Sequence, residues 1–268
     1  MRAIFTLALT LVLAGVLVAQ QPTTPRAPAP RPAAPRAAPR TDAVVPFAVG
    51  ETLTFDVSWS QYLTAGSAVL RVVEKRPSLN SSAYSLVADG RPIPLVARFY
   101  PVYYKMDSLL DSVTSLSQST SLYMEENGQK RQTTMRFDRV RRRAYYEVTS
   151  APTAKADFAV PDGVQDGLAM LYAIRGRAFR AGERFTVPVA DDGSLYSVAF
   201  DVTGPESVVV PAGTVSAWNL KVSTLDAERQ PVGNNISVWI SSDARRLPVK
   251  IQADLPVGSF TLALREAR

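Results

Sequence analysis

Phe47-Ala-Val-Gly50-Glu51-Thr-Leu53-Thr54-Phe55 and Phe179-Arg-Ala-Gly182-Glu183-Arg-Phe185-Thr186-Val187 are two similar strand entries, each opening one half of an alternating region. After the first, Leu53, Phe55, Val57 and Trp59 oppose Thr52, Thr54, Asp56, Ser58 and Ser60. After the second, Tyr196, Val198, Phe200 and Val202 oppose Ser197, Ala199, Asp201 and Thr203. Trp218, Leu220 and Val222 continue the pattern, as do Phe260, Leu262 and Leu264. A period of two with one apolar and one polar face is the pattern of antiparallel sheet buried on one side. Two explanations of the paired entries stay open, an internal duplication and a Gly-Glu pair that simply leads well into a strand.

Turn residues support the same reading. Asn127-Gly128 and Asp192-Gly193 tolerate the positive φ of two-residue hairpins, and Pro211-Ala212-Gly213 suits a tight turn. Strands are expected at about 51–60, 66–75, 83–89, 103–111, 113–125, 129–137, 143–149, 183–190, 194–203, 206–211, 214–225, 235–242, 247–253 and 258–265. One helix is expected at about 163–175, with Asp162 and Gln165 as a capping box and Asp166 in the first turn. Val164, Leu168, Leu171 and Tyr172 share one face of it, so it should lie on the sheet or plug its concave side. The fold class is all-β: a large antiparallel curled sheet or half-barrel, in one or two lobes, with one packed helix.

The N-terminal region reads differently. Arg2 precedes an apolar run from Ile4 to Ala19, shorter than the roughly 20 residues of a membrane span, which reads as a signal peptide over residues 1–19, with an uncleaved anchor as the alternative. Residues 20–46 are rich in Pro and Ala, carry Arg26, Arg31, Arg36 and Arg40, and are expected to form an extended disordered linker. That linker is either a solvated tether or a basic contact to a membrane surface or other anionic envelope material. Residues 47–268 are expected to be a single β domain and carry 25 basic and 23 acidic residues, so the net charge of +6 resides mainly in the N-terminal region. A nearly neutral folded part argues against nucleic acid as a partner. The expected location is the periplasm or outside the cell, and the expected state is a monomer.

The sequence has no His and no Cys. It therefore has no Ser-His-Asp or Cys-His site, no imidazole or thiolate zinc site and no disulfide. No phosphate loop, dinucleotide fingerprint or Gly-x-Ser-x-Gly is present, and no cofactor is expected. The acidic pairs Asp191-Asp192, Glu125-Glu126 and Asp107 with Asp111 are the candidates for glycoside hydrolysis, which needs two carboxyls at a set separation. Asp192 and Glu125-Glu126 are accounted for by the adjoining turns, and Asp107 and Asp111 would stand about 13 Å apart along one strand.

Several motifs occur in a fixed order: Gly50-Glu51-x-Leu53-Thr54-Phe55-Asp56-Val57-Ser58-Trp59, Ala65-Gly66-Ser67-Ala68, Phe99-Tyr100-Pro101-Val102, Phe137-Asp138 and Pro161-Asp162-Gly163-Val164-Gln165-Asp166. Pro188-Val189-x-Asp191-Asp192-Gly193, Pro211-Ala212-Gly213-Thr214, Val238-Trp239-Ile240-Ser241 and Leu247-Pro248-Val249-Lys250 follow. In this the chain resembles the exported bacterial family named domain of unknown function 3108, over nearly all of residues 46–266. The resemblance implies a compact antiparallel β domain and brings no catalytic residues with it.

Two groups of residues are candidates for binding. Phe99, Tyr100, Tyr103 and Trp239 could present apolar area with a polar tip at a ligand mouth, against the alternative that Trp239 is simply covered. Arg139, Arg141 and Arg142 could contact phosphate or anionic lipid, against the alternative of a solvated hairpin tip. The expected role is non-catalytic binding of an apolar or amphiphilic ligand, such as lipid or lipoprotein acyl chains, in a concave sheet. An envelope scaffold meeting a protein or glycan, and a glycan-directed hydrolase, are the alternatives.

Overall fold

The structure, a computed structural model, describes residues 41–268 apart from 61–62, 80 and 256–257. The expected signal peptide and nearly all of the expected linker lie outside the described residues. Fourteen strands and two helices follow one another as β1 (Thr52–Trp59), β2 (Leu63–Ser78), β3 (Ser81–Pro92), α1 (Pro94–Ala97), β4 (Val102–Asp111), β5 (Ser117–Glu126), β6 (Gln129–Asp138) and β7 (Arg143–Val148). Then come β8 (Ala154–Ala159), α2 (Gly167–Arg175), β9 (Arg184–Asp191), β10 (Ser194–Val210), β11 (Gly213–Leu225), β12 (Pro231–Ser241), β13 (Pro248–Leu255) and β14 (Gly258–Ala267). All the strands form one sheet, ordered β8-β7-β6-β5-β4-β3-β2-β1-β14-β13-β12-β11-β10-β9. It consists of two meanders, β1–β8 and β9–β14, joined where the first strand pairs with the last.

The two entry motifs build the same local structure. Gly50 N donates to Val72 O and Gly182 N to Val202 O, both at 2.8 Å, while Val72 N and Val202 N return bonds to Glu51 O and Glu183 O at 2.9 Å. Both glycines have positive φ, +95° and +80°, which a side chain would strain. Phe47 and Phe179 are both buried just ahead of the turn, and a register shift follows Val72 in β2 and Val202 in β10. The resemblance between the motifs is thus a repeated backbone device that starts each meander.

Directly paired residues share a face of the sheet. The row Val57, Leu262, Ile251, Val238, Leu220 and Val202 therefore lies on one face, as does the row Leu53, Leu70, Ala88, Met106 and Leu122. This is the concave face, and α2 sits against it: Leu168, Ala169 and Tyr172 pack with Leu53, Phe55, Val72, Leu86 and Leu110, while Ile174 packs with Phe200, Val202, Leu220 and Ile240.

The ends of the sheet overlap instead of pairing strand to strand. Ala190 and Leu195, on the convex face of the β9–β10 hairpin, pack on the concave side chains Met135, Phe137, Tyr146 and Val148 of β6 and β7. The chain before α2 closes the seam, with Gln165 N donating to Pro188 O and Ala190 N to Gln165 O, each at 2.9 Å.

Four elements differ from the sequence expectation, the first being α1, since only one helix is expected. Helix α2 begins at Gly167, because Gln165 is extended against β9; Asp166, not Asp162, is the N-cap and accepts from Ala169 N at 2.9 Å. The expected strands 194–203 and 206–211 are one strand, β10, bent at Gly204 and Pro205. Pro205 is tolerated because β9 ends opposite Asp201, leaving this stretch paired only with β11. Strand β8 was not expected: Ala-Lys-Ala-Asp-Phe-Ala has little β-branched character, and it forms an edge that is mostly exposed. The domain also begins before Phe47, since Ala43 N donates to Ser112 O at 2.7 Å and Asp42 binds Ser112 and Lys75.

At its C-terminal end α2 is anchored by Arg175, whose side chain is wholly buried. It donates to both carboxylate oxygens of Glu51, at 2.7 and 2.8 Å, to Arg246 O at 2.9 Å and to Arg245 O at 3.2 Å, and stacks near Phe47 and Tyr172. Removing one member of such a pair leaves a buried charge without its counterion. Glu51→Ala should lose about 3–5 kcal/mol of stability on that ground. Glu51→Leu combined with Arg175→Met should lose clearly less than Glu51→Ala alone, as read from urea unfolding midpoints.

Candidate functional site

The concave face changes character along the strands. Beside α2 the apolar side chains are fully covered: Leu53, Phe55, Val72, Leu86, Leu110, Leu220, Ile240 and Val249 have no exposed surface. Towards the other end of the same strands and on the same face, Val57, Met106, Leu122, Met124, Val222, Ile236, Ile251 and Leu262 are only half-buried. At the rim, Trp59 and Tyr104 are 44% and 41% exposed, and Trp59 stacks on Phe260 with ring centroids 6.1 Å apart. Burial falls while apolar character persists.

Element lengths explain the gradient. The nine residues of α2 span about 14 Å, whereas the ten residues of β4 span about 33 Å. The helix can therefore cover only one end of the concave face. Polar bonds fix which end. Asp166 accepts from Ser108 Oγ at 2.7 Å and from Ser117 Oγ, and Gln165 accepts from Ser117 N and donates to Ser115 O, both at 2.8 Å. Burial pushes the Asp166 carboxyl up from its ordinary value, against the pull of these donors and of the Ala169 amide. The concave face so defined is mainly apolar, fully covered at one end and only partly covered at the other.

A second hollow of about 780 Å³ adjoins the rim over β5–β8. Its lining mixes Met124, Val148 and Pro152 with Lys130, Arg131 and Ser150. Arg131 crosses the seam to Asp192 at 2.6 Å, and Tyr146 donates to the same carboxylate. The bonds from Tyr146 and Arg131 hold the Asp192 carboxyl below its usual range, and burial, helped by Asp192, pushes the Tyr146 hydroxyl up to about 12.

The residues singled out from sequence are dispersed. Phe99 and Tyr100 stand exposed at the β3–β4 connection, next to the open end. Tyr103 is on the convex face, with the Arg91 guanidinium 4.9 Å from its ring centre and Tyr123 beside it. Trp239 is also on the convex face, buried under the bent end of the β10–β11 hairpin with Val208, Val210 and Ala217, and its indole N–H bonds Glu206. The structure does not bring Trp239 together with the other three.

Arg139 is turned inward: it donates to Val164 O at 2.9 Å and to Ser117 O, and burial lowers its pKa. Arg141 pairs with Asp138 at 2.9 Å and Arg142 with Asp162 at 2.8 Å, so neither is a free cation. The half-buried concave residues were visible in the sequence only as alternating apolar positions. Their openness depends on where a short helix stops.

Among the described residues there is no cluster of acidic side chains that could hold a metal. Of the acidic pairs, Asp192 belongs to the seam, Asp107 lies 3.1 Å from Lys105, Glu125 accepts from Tyr123, and Asp111 binds Ser81, Gln118 and the Thr114 loop. No described helix is long and apolar enough to cross a membrane.

The geometry defines a barrel-like antiparallel sheet curled around one short helix. The chain belongs to the family described as protein of unknown function DUF3108, whose model matches residues 54–265. Its fold is similar to the crystal structure of the β-barrel-like DUF1849 protein from Brucella abortus, with 8% identity, a TM-score of 0.53 and coverage of 82% of this chain and 97% of that one. A "putative lipoprotein" of Parabacteroides distasonis aligns at 13% identity and a TM-score of 0.35, covering 85% of this chain and 100% of its own. A "putative exported protein with YmcC-like fold" of Bacteroides fragilis aligns at 11% identity with the same TM-score and coverages. No curated protein matches the chain significantly.

The seam gives a pH prediction. Because the Asp192 pKa is depressed in the fold, its contribution is present above the ordinary carboxylate pKa of about 3.9 and is lost as pH falls through the lower folded value. Asp192→Asn should cost at most about 1 kcal/mol at pH 7, since the pair is half-exposed. The difference between the two proteins should shrink as pH falls below about 4, as read from urea unfolding midpoints.

Proposed function

We propose that this is an exported cell-envelope protein that holds an apolar or amphiphilic ligand in the open part of its concave face. One observation carries the reading: with Ser108, Thr120 and Glu126 as polar exceptions on β4 and β5, the inner-face side chains of β1 to β5 and β10 to β14 are mainly apolar, while their burial falls from complete beside α2 to partial at the mouth. Monomeric proteins seldom leave a contiguous apolar surface uncovered, and such surfaces mark binding sites. Trp59, Tyr104 and Phe260 at the rim supply flat apolar area where an acyl chain would enter. Export is supported by Arg2 followed by the Ile4–Ala19 apolar run and by a Pro- and Arg-rich stretch ahead of the domain.

The test is native mass spectrometry with lipid extraction on the full chain, expressed with its own N-terminus and purified from the periplasm. A stoichiometric co-purified lipid or acylated molecule is expected. Leu122→Arg, which puts a charge on the half-buried wall without emptying the packed end, should abolish the co-purified ligand while leaving circular dichroism and the unfolding midpoint close to the native ones. A native protein that is empty, and stays empty when offered lipids, would sink the reading and favour the envelope-scaffold alternative.

A further inference from the structure

The β3–β4 connection, residues 93–101, carries the densest group of exposed large apolar side chains in the described structure. Leu95 is 60%, Phe99 82% and Tyr100 45% exposed, all within six consecutive residues. The segment is built, not slack. Ile93 N donates to Ala65 O at 2.9 Å, Ala97 N to Ile93 O at 2.9 Å, Phe99 N to Val96 O at 3.0 Å and Tyr100 N to Val96 O at 2.8 Å, and Asn127 N donates to Pro101 O at 3.0 Å. These bonds hold α1 and the Phe99-Tyr100 pair as a tip that projects apolar groups outward.

Charge selects the partner. Between Gly90 and Met106 the chain has Arg91, Arg98 and Lys105 and no acidic residue; Lys105 is paired with Asp107, and Glu125 and Glu126 of β5 flank Tyr103 and Val102, so the cations of the tip itself are Arg91 and Arg98. Arg98 is exposed and makes no ion pair among the described residues, and Arg91 is exposed beside Tyr103. A few aliphatic and aromatic side chains flanked by arginines form the composition of a shallow interfacial anchor, in which the rings sit at headgroup depth and the cations meet lipid phosphate. A protein partner would ordinarily need a patch of about 800 Å² on each side, far more than three side chains offer.

We propose that the β3–β4 tip docks into the headgroup layer of an anionic lipid bilayer, turning the mouth of the concavity towards the membrane. This deepens the ligand-binding reading and rests on it for its purpose, though docking itself is measurable without any ligand. Tyr104, at the start of the concave wall, follows the tip directly, so an acyl chain leaving the bilayer would meet the wall with little exposure to water.

The experiment is flotation of the full chain with vesicles of mixed phosphatidylglycerol and phosphatidylethanolamine, and with phosphatidylcholine alone. Binding of a soluble fluorescent medium-chain fatty acid is read in parallel. The native protein should float with the anionic vesicles and much less with the zwitterionic ones. Leu95→Ser with Phe99→Ser should weaken that binding by about tenfold, equivalent to roughly 1.4 kcal/mol, and Arg98→Glu should also weaken it. Both should leave the fatty-acid affinity unchanged. Because the N-terminal arginines could also touch lipid, a variant with Arg26, Arg31, Arg36 and Arg40 changed to Gln is included and should retain most of the binding. The proposal is overturned if the native protein does not float, or if the tip variants float as the native protein does while the Gln variant does not. Failure of every protein to bind the fatty acid, with tip-dependent flotation intact, would count against the concavity and not against the tip.

Discussion

The buried contact between Arg175 and Glu51 sets the geometry on which the rest depends. It joins the end of α2 to the start of the strand at which the two meanders meet, and through the Arg245 and Arg246 carbonyls it also holds the β12–β13 turn. A buried ion pair is a weak source of net stability, because desolvation offsets most of its attraction, but it is intolerant of displacement. Its value here is positional. At the other end of α2, Asp166, Gln165 and Arg139 do the same for β4, β5 and the seam. The helix is therefore pinned at both ends against one half of the concave face.

That pinning is what leaves the other half uncovered. A helix of nine residues cannot follow strands of ten to seventeen, and polar partners at both ends prevent it from sliding towards the mouth. The sheet closes its remaining exposed surfaces in other ways. Its ends overlap, with the β9–β10 hairpin covering β6 and β7, and the bent tip of β10–β11 covers Trp239 on the outside, where Ala212 N reaches Leu264 O at 2.9 Å. The chain thus shields its convex apolar patch and its seam, yet leaves the concave mouth apolar and open.

Much of this architecture could be read from sequence because it follows from period and turns. Alternation at Leu53 to Trp59 and Tyr196 to Val202 located the core face, and Asn127-Gly128 and Asp192-Gly193 marked real hairpins. The paired Phe-x-x-Gly-Glu entries gave the bipartite plan, and both glycines adopt the positive φ their position demands. What escaped depends on tertiary partners. Asp162 looked like a cap because local spacing cannot reveal that Gln165 is held by β9, and β8 has too little intrinsic strand preference to be seen without its neighbour. Trp239 alternates with Val238 and Ile240 in the sequence and so falls on the opposite face, but the bend at Gly204 that supplies its cover is a three-dimensional event. Arginines 139, 141 and 142 read alike in sequence, and burial alone separates the first from the other two.

The two features argued to carry function lie at the same end of the molecule for one physical reason. The helix, its buried anchors and the carbonyls that hold Arg175 are gathered at the end of the sheet where β4 turns into β5 and β12 into β13. The connections at the opposite end, such as β3–β4 and β5–β6, need only reverse the chain, and two residues suffice for the latter. The β3–β4 connection instead spends nine residues, builds a helical turn and faces Leu95, Phe99 and Tyr100 outward. A longer connection that exposes apolar side chains costs solubility and adds nothing to the packed core. Its position beside an open apolar wall makes a shared role at a lipid interface the most economical physical account of both.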